Sequence, residues 1–475
     1  MFQLINSIIL KFRKCFKRIA TWQWFVVLMM GFIVCNTKRG ITTVISILKL
    51  RSDLYHTMLH YFRSDAYEVS DLYKTWIQIV NLNIDLVHIS NHVLLLGDHL
   101  KMPKEGQRMP GIQLLHQESQ NSGKTEYIEG HIIAHVSAVA TNGKTYRSIP
   151  LMTERQESPP KIEGTNKPDG DTIVTQMVDL VAKAAKSFDG EKAVVALDAY
   201  FAKASAFEAA AKAVTDNGER ILEIVTRAPS DTVAFTVPEI SDKKGRGRPR
   251  EYGNKIKLYD LFSDTSNFTE TTMLLYGKKC QVKYLCIDLI WKPTKTKGLG
   301  LVRFVLVELN GKDRLVLMSS SLELTAEEII TIYGLRFKIE GSFDEQKNDM
   351  GCFSYHFWTK AMEKRPRKKK AEKPTDDKSL ELAKNTERAI ESYICLGTIA
   401  TGIITIIAFT HNRQIWKRYP GWIKTIRSDI PSIAITKETL ANDLPIFLRL
   451  FPHVPICSII NYRRRNDESS FDDVA

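Results

Sequence analysis

Residues 193–201 read AVVALDAYF: five apolar residues, an aspartate, an alanine and two aromatics. An apolar run this short, without polar alternation, reads as a strand covered on both faces, the kind that belongs to parallel sheets. Asp198 follows it directly, where the strand gives way to a loop. Upstream, VLLL at 93–96 is a second such strand, with Asp98 one glycine beyond it. HIIAHVSAVA at 131–140 and TYRSIPLM at 145–152 are longer strands, and residues 172–187 form a helix. Downstream come a helix from Phe201 to about Val214 and another strand, ILEIVT, at 221–226.

Three strands, then helix, strand, helix and strand is the order of an RNase H-like α/β core. In such a sheet the first and fourth strands are neighbours, so Asp98 and Asp198 are expected to converge at one edge. Asp85 is a rival to Asp98 but lacks the long apolar strand before it. Hard divalent cations such as Mg2+ or Mn2+ take oxygen ligands, and two of them about 3.5 to 4 Å apart serve both the attacking and the leaving oxygen of a phosphoryl transfer. A third carboxylate must come from elsewhere in the chain.

The segment LTAEEIITIYGLRFKIEGSFDEQK, residues 324–347, supplies it. Thr325 caps a helix whose first turn holds Glu327 and Glu328. On one continuous helix Tyr333, Arg336, Glu340 and Lys347 are spaced three, four and seven apart, within an arc of about 60°. A carboxylate flanked by cations suits phosphate chemistry: Arg336 grips a phosphate bidentately, Lys347 adds a point charge, and Tyr333 offers a hydroxyl or a stacking face. Taken alone, an Arg336–Glu340 pair on a surface helix is the more ordinary reading. Asp344, Glu345 and Asp349 are rival carboxylates nearby.

The pattern Tyr333-x2-Arg336-x3-Glu340-x6-Lys347 resembles the signature of bacterial insertion-sequence DDE transposases of the IS-four group. VVALDAYF resembles their second-aspartate strand, and LLLGDHLKMPKEG with GKTEYIEGHIIAH resembles the first-aspartate strand and its neighbour. The resemblance runs from about Val93 to Phe357 and selects Glu340 as the residue in register. It implies a metal-dependent polynucleotidyl transferase in which Asp98, Asp198 and Glu340 are catalytic and hold two Mg2+ or Mn2+ ions, while Tyr333, Arg336 and Lys347 touch DNA. The implied reaction is cleavage at the terminal inverted repeats of an element, then attack of the freed 3′-hydroxyl on target DNA, by a homodimer in the DNA complex. The alternative is a transposase-derived DNA-binding protein without catalysis.

Composition agrees with a nucleic-acid partner. The chain has 475 residues, 44% of them hydrophobic, and a formal charge of +13, which points to a polyanion. Seven cysteines, none in a two-residue-separated pair, suit a reducing cytoplasm, here the bacterial nucleoid. The apolar runs 22–35 and 394–409 fall short of the roughly 20 residues a membrane span needs and read as buried helices, so no membrane partner is expected.

The whole is an α/β protein: an RNase H-like catalytic core interrupted by a β-rich insertion, with helical N- and C-terminal regions. The expected division is a helical region at 1–85, the first part of the core at 86–226, the insertion at 227–323, the Glu340 helix at 324–363, a basic linker at 364–377 and a helical region at 378–475. Two helices meeting near 51–53 suit a helix-turn-helix, although most such pairs are ordinary packing.

Further DNA contacts are expected from Lys101, Lys104 and Lys124, with Arg108, on the loop after the first strand, unless that loop is merely solvated. Arg246, Arg248 and Arg250 of GRGRPR resemble a minor-groove AT-hook core. Trp291 is either a core residue or a stacking surface for an unpaired base, as an aromatic of the insertion is in related enzymes. His88, His92, His131 and His135 are read as structural.

Overall fold

The computed structural model describes residues 1–35, 40–117, 126–160, 162, 165, 168–238, 250–291, 300–366, 374–422 and 428–464. Helices α1 (Phe2–Lys11), α2 (Ile19–Val34), α3 (Ile41–Ile47), α4 (Tyr55–Phe62) and α5 (Val69–Asn83) precede the first strands. These are β1 (His88–Ile89), β2 (His92–Pro103), β3 (Gln113–His116), β4 (Tyr127–Thr141) and β5 (Tyr146–Gln156). Helix α6 (Ile173–Lys186) leads to β6 (Lys192–Ala196), and α7 (Ala204–Ala211) to β7 (Leu222–Arg227).

Side by side, five of these strands stand as β5-β4-β2-β6-β7. β2, β6 and β7 run parallel, with Leu96 opposite Ala196 and Ala196 opposite Val225, while β4 lies antiparallel to β2 on its other side. Parallel neighbours require a crossover, and α6 and α7 provide those before β6 and β7. The first and fourth long strands are therefore adjacent, as the order of elements in the sequence predicts.

Alternation along these strands sorts their side chains onto two covered faces. Val93, Leu95, Val195 and Leu197 pack with Met177, Val178 and Val181 of α6. Leu94, Leu96, Val194 and Ala196 pack on the other face with Ile329, Ile330, Ile332, Ile339 and Phe343 of the late helices. Double coverage explains why VLLL and AVVAL are apolar at every position. Gly97 belongs to the α6 face, where a Cβ would lie 2.6 Å from Met177 Cε and 2.8 Å from Leu197 Cδ2, so a side chain there would have to push both of those side-chain ends aside.

The sheet continues beyond β7. Strands β8 (Val233–Phe235), β9 (Lys255–Lys257), β10 (Thr269–Leu275), β11 (Lys278–Ile290), β12 (Leu301–Leu309) and β13 (Asp313–Ser319) extend it through an antiparallel β13–β7 pairing. Hairpins close it: Tyr276-Gly277 joins β10 to β11 and Asn310-Gly311 lies between β12 and β13, all four residues at positive φ, as tight hairpin turns demand.

The expected single late helix is broken into α8 (Ala326–Leu335), α9 (Lys338–Asp344) and a π-helical turn over Glu345–Asp349. At the break, hydrogen bonds tighten to Arg336 N–Tyr333 O, Ile339 N–Arg336 O and Glu340 N–Phe337 O. The arc of about 60° that holds for an unbroken helix does not apply. Thr325 caps α8 as expected, in a reciprocal arrangement with Glu328.

The chain closes with α10 (Asp377–Thr410), α11 (Asn412–Arg418), α12 (Ile433–Leu450) and α13 (Pro455–Asn461). α10 packs along β5, α5 and α2, and α2 is buried almost all round from Phe25 to Val34. α10 is long and apolar enough to cross a membrane, but 89% of its apolar stretch is buried inside the protein. Its inner residues suit close packing. Gly402 lets Trp76 approach to 2.0 Å of where a Cβ would stand, and Thr398, Thr401 and Thr405 satisfy their buried hydroxyls on carbonyls one turn back. The joint between α3 and α4 spans residues 48–54, longer than the three or four residues of a compact helix-turn-helix. No two of the seven cysteines form a disulfide.

Candidate active site

Strand parity decides where the acidic residues face. Leu94, Leu96 and Asp98 alternate onto one side of β2, and Val194, Ala196 and Asp198 follow the same parity on β6, so both aspartates are assigned to the face that α8 and α9 cover. β2 runs on to Pro103, so Asp98 lies within the strand rather than just past a strand ending at Leu96. Asp198 sits two residues beyond the end of β6 and caps a short turn, its Oδ1 accepting from Tyr200 N at 2.9 Å, while Thr226 Oγ1 donates to its carbonyl at 2.6 Å.

Arg336, at the break between α8 and α9, ties the helices to the strands. Its Nη1 is 3.5 Å from Asp98 Oδ2 and its Nη2 is 3.2 Å from Glu340 Oε1. The Asp98 carboxyl also accepts from the backbone N–H of His99 at 2.7 Å. Burial pushes its pKa up to about 7, helped by the charge of Asp198 and more weakly by Glu340, against the opposing pull of the His99 N–H and Arg336. The Tyr333 hydroxyl is raised by burial and stands in the fields of Arg336, Arg227 and Asp198. Asp98, Asp198, Tyr333, Arg336 and Glu340 thus form one electrostatic neighbourhood.

What positions Glu340 is a buried polar cluster below it. His135, directly opposite Asp98 in the β2–β4 register, takes Ser342 Oγ at 3.0 Å on Nε2 and Thr153 Oγ1 at 2.8 Å on Nδ1. Gln346 Nε2 lies 3.2 Å from the same ring. Arg147 pairs with Glu345 beside it. These contacts fix α9 and the π turn to β4 and β5. Burial holds His135 neutral, with a pKa of about 3. His131 is likewise buried between Tyr355 Oη and the Pro110 carbonyl.

Among the described residues no three His, Cys, Asp or Glu side chains are drawn close enough together to hold a metal ion. Asp98 and Glu340 instead share the Arg336 guanidinium. The donor set still fits a hard divalent cation in kind, because burial and the nearby Asp198 carboxylate both disfavour the charged form of Asp98, and added positive charge would relieve that.

The remaining expected contacts divide. Lys347 is exposed on the π turn, and Arg250 is exposed on the run before β9. Lys101 is half-buried and donates to the His116 carbonyl at 2.8 Å. Lys104 is corrected: it is 8% exposed, its amine donates to the carbonyls of Phe353 and Tyr355, and it lies 3.7 Å above the Tyr355 ring, so it holds protein rather than phosphate. Trp291 is 6% exposed and packs edge-on against Phe207, so its ring is turned into the core rather than offered to a base. Lys124, Arg246 and Arg248 lie outside the described residues.

Two participants went unread in the sequence. Arg227 ends β7, next to the strand that carries Asp198, and its charge reaches Tyr333. Tyr200 is exposed beside Asp198 with Lys203 Nζ 4.0 Å over its ring. Counting to the end of ILEIVTR would have found the first.

Comparison with known proteins fits this geometry. A structural likeness extends to a piggyBac transposase synaptic complex with hairpin DNA, at 12% identity and a TM-score of 0.35, covering 95% of this chain and 77% of that one; a score that low does not bear on the fold. No curated protein matches. The family model described as DDE superfamily endonuclease matches residues 11–274, a span that holds Asp98 and Asp198 and ends before Glu340. With more than half of its length matched, the chain belongs to the DDE superfamily of endonucleases.

Proposed function

We propose that the chain is a DNA transposase that cuts at the ends of an element and joins the freed ends to target DNA, with Asp98, Asp198 and Glu340 as its acidic triad. The observation that carries this reading is the shared site: Asp98 within β2 and Asp198 just past the end of the adjoining parallel β6, with a helix break beside them that brings Arg336 to both Asp98 and Glu340. Two Mg2+ or Mn2+ ions held by the carboxylates would polarise the scissile phosphate and serve the attacking and leaving oxygens. Arg336 beside Asp98 and Tyr333 in the field of Asp198 would orient a phosphate between them, and Lys347 would extend the cationic side along the π turn. Water attacks phosphorus and the bond to the 3′-oxygen breaks, leaving a 5′-phosphate; the released 3′-hydroxyl then attacks a target phosphodiester, whose own bond to the 3′-oxygen breaks as the new ester forms.

On the resemblance of the Tyr333–Lys347 pattern we further propose kinship with the IS-four group, with the strands from β8 to β13 as an insertion in an RNase H-like core and a homodimer joining two ends. The domain division at 85, 226, 323, 363 and 377 belongs to the same proposal.

A binding-only descendant is the second reading, and one observation favours it: Arg336 already pairs with two of the three acids. Cleavage of a labelled duplex bearing the element's terminal repeat, with Mg2+ or Mn2+, separates the two. Nicking at the repeat boundary that is lost in Asp98→Ala and Glu340→Ala supports the enzyme. Repeat binding without any cut, in the presence of metal and both DNA ends, supports the descendant.

A further inference from the structure

At the far end of β2 the chain builds a groove of about 900 Å³ between residues 103–109 and 356–364. The second wall alternates: Tyr355 and Phe357 are buried, while His356, Trp358 and Lys360 are exposed, so an extended segment turns one row of side chains inward and the other into the groove. Trp358 is 53% exposed. An exposed tryptophan among cations is an unusual use of the residue, since its apolar body favours burial.

The walls are stitched together. Arg108 Nη1 donates to the carbonyls of Lys360 and Met362 at 2.8 and 3.0 Å. Thr359 N bonds Arg108 O, Arg365 N bonds Gln107 O, and the buried Lys104 amine secures Phe353 and Tyr355. Trp358 and Lys360 therefore stand on a braced edge. With Lys104 and Arg108 engaged in holding the walls, the lining offers His356, Lys360 and Lys364 against a single carboxylate, Glu105, among the described residues.

We infer that this groove binds DNA flanking the scissile phosphate, Lys360 and Lys364 against backbone phosphates and Trp358 against an exposed sugar or base face. A cationic groove with an aromatic platform is the physical arrangement that tracks a nucleic-acid strand. Its position agrees: Pro103 is five residues beyond Asp98 on the same strand, roughly 16 Å at 3.3 Å per residue. Along a duplex that is about five base steps at 3.4 Å each. The inference rests on the reading of the chain as a DNA-processing enzyme and adds a site that the acidic triad does not supply.

The test is equilibrium binding of fluorescein-labelled DNA to the full chain without divalent metal, so that a failure of catalysis leaves it intact. Two probes are used, a fully paired duplex and one with an unpaired end. Trp358→Ala is expected to weaken binding about tenfold, with Trp358→Phe restoring most of it. The double variant Lys360→Ala and Lys364→Ala is expected to flatten the slope of log affinity against log salt by about 1.8 on the duplex. A tryptophan effect confined to the unpaired probe assigns the ring to a base, and an equal effect on both assigns it to the backbone. Unchanged affinity and slope on both probes overturn the inference. So does a changed molecular mass of the DNA-free protein with affinity intact, which would make the groove a contact between copies.

Discussion

The two halves of the candidate site are held in different ways. Asp98 and Asp198 are placed by backbone pairing: once β2 and β6 align Leu96 with Ala196, alternation dictates the face on which both acids emerge. Glu340 has no such guarantee. It rides on a seven-residue helix set off by a break, and its position depends on side chains beneath it, His135 with Ser342 and Gln346, and Arg147 with Glu345. The strand half is rigid by construction, whereas the helix half is rigid by packing. Arg336 is the joint between them.

The largest expected effect tests the strand half. Asp98→Ala or Asp198→Ala is expected to lower the cleavage rate about a thousandfold or more, since several kcal/mol of charge stabilisation disappear, while end binding persists. A single-turnover assay that finds near-normal cutting in either variant breaks the assignment of that residue.

Next comes the support of the helix half. His135→Leu removes the ring that Ser342, Thr153 and Gln346 share; Thr153 and Gln346 keep their contact with each other, and a buried group left stranded, as the Ser342 hydroxyl would be, costs about 1–3 kcal/mol. Thermal denaturation is expected to show that loss, together with slower cleavage through misplacement of Glu340. Normal cleavage in a destabilised variant would show that Glu340 does not depend on this cluster. Gly97→Val probes the opposite face of β2, where overpacking against Met177 and Leu197 is expected to cost about 1–3 kcal/mol of unfolding free energy. Unaltered denaturant midpoints would mean that α6 yields freely.

Acid should separate the halves as well. His131 and His135 have folded pKa values near 3, below the ordinary 6.5. Between those values the unfolded chain binds protons that the folded one refuses, so their contribution is complete above about pH 6.5 and falls as pH drops toward 3. The loss is up to about 1.4 kcal/mol per pH unit for each histidine. Urea titrations at pH 7 and pH 5 of the wild type and His131→Gln measure it; an identical pH dependence in the variant would clear His131 of any part in the loss. The smallest effect is on stability at the joint. Arg336→Gln is expected to change unfolding free energy by less than about 1 kcal/mol, its ion pairs being partly solvated, yet to slow cleavage. An unchanged cleavage rate would leave Arg336 as a surface ion-pair member.

The same contrast governs what the sequence makes legible. Strand order and the facing of Asp98 and Asp198 follow from short all-apolar runs, because period-two alternation leaves little freedom once both faces are covered. The extent of β2 is harder to read: HLKMP is half-exposed and mixed, so nothing in it announces a strand. β10, TETTMLL, escapes notice because its faces are largely open to solvent and carry no apolar stripe. Asn310-Gly311 is a legible hairpin turn, but Tyr276-Gly277 puts a tyrosine where that turn favours asparagine. The break at Arg336 has no proline or glycine pair to mark it, and the contacts that hold α9 beyond it, such as Ser342 on His135, reach some 200 residues back in the chain. Lys104 misleads for a related reason, since its burial depends on carbonyls about 250 residues away in the chain.

The arrangement of α2 carries a cost during synthesis. Much of its apolar surface is covered by α10, α12 and α13, and Arg51 N bonds Arg463 O beside it, so early and late segments meet in one layer. Some 375 residues separate the end of α2 from the end of the apolar half of α10. At roughly 5–20 residues per second, a nascent chain on the ribosome carries that uncovered surface for about 20–75 s. A helix made first and covered last is a natural client for a chaperone, and its yield on expression should respond to chaperone supply more sharply than that of the sheet.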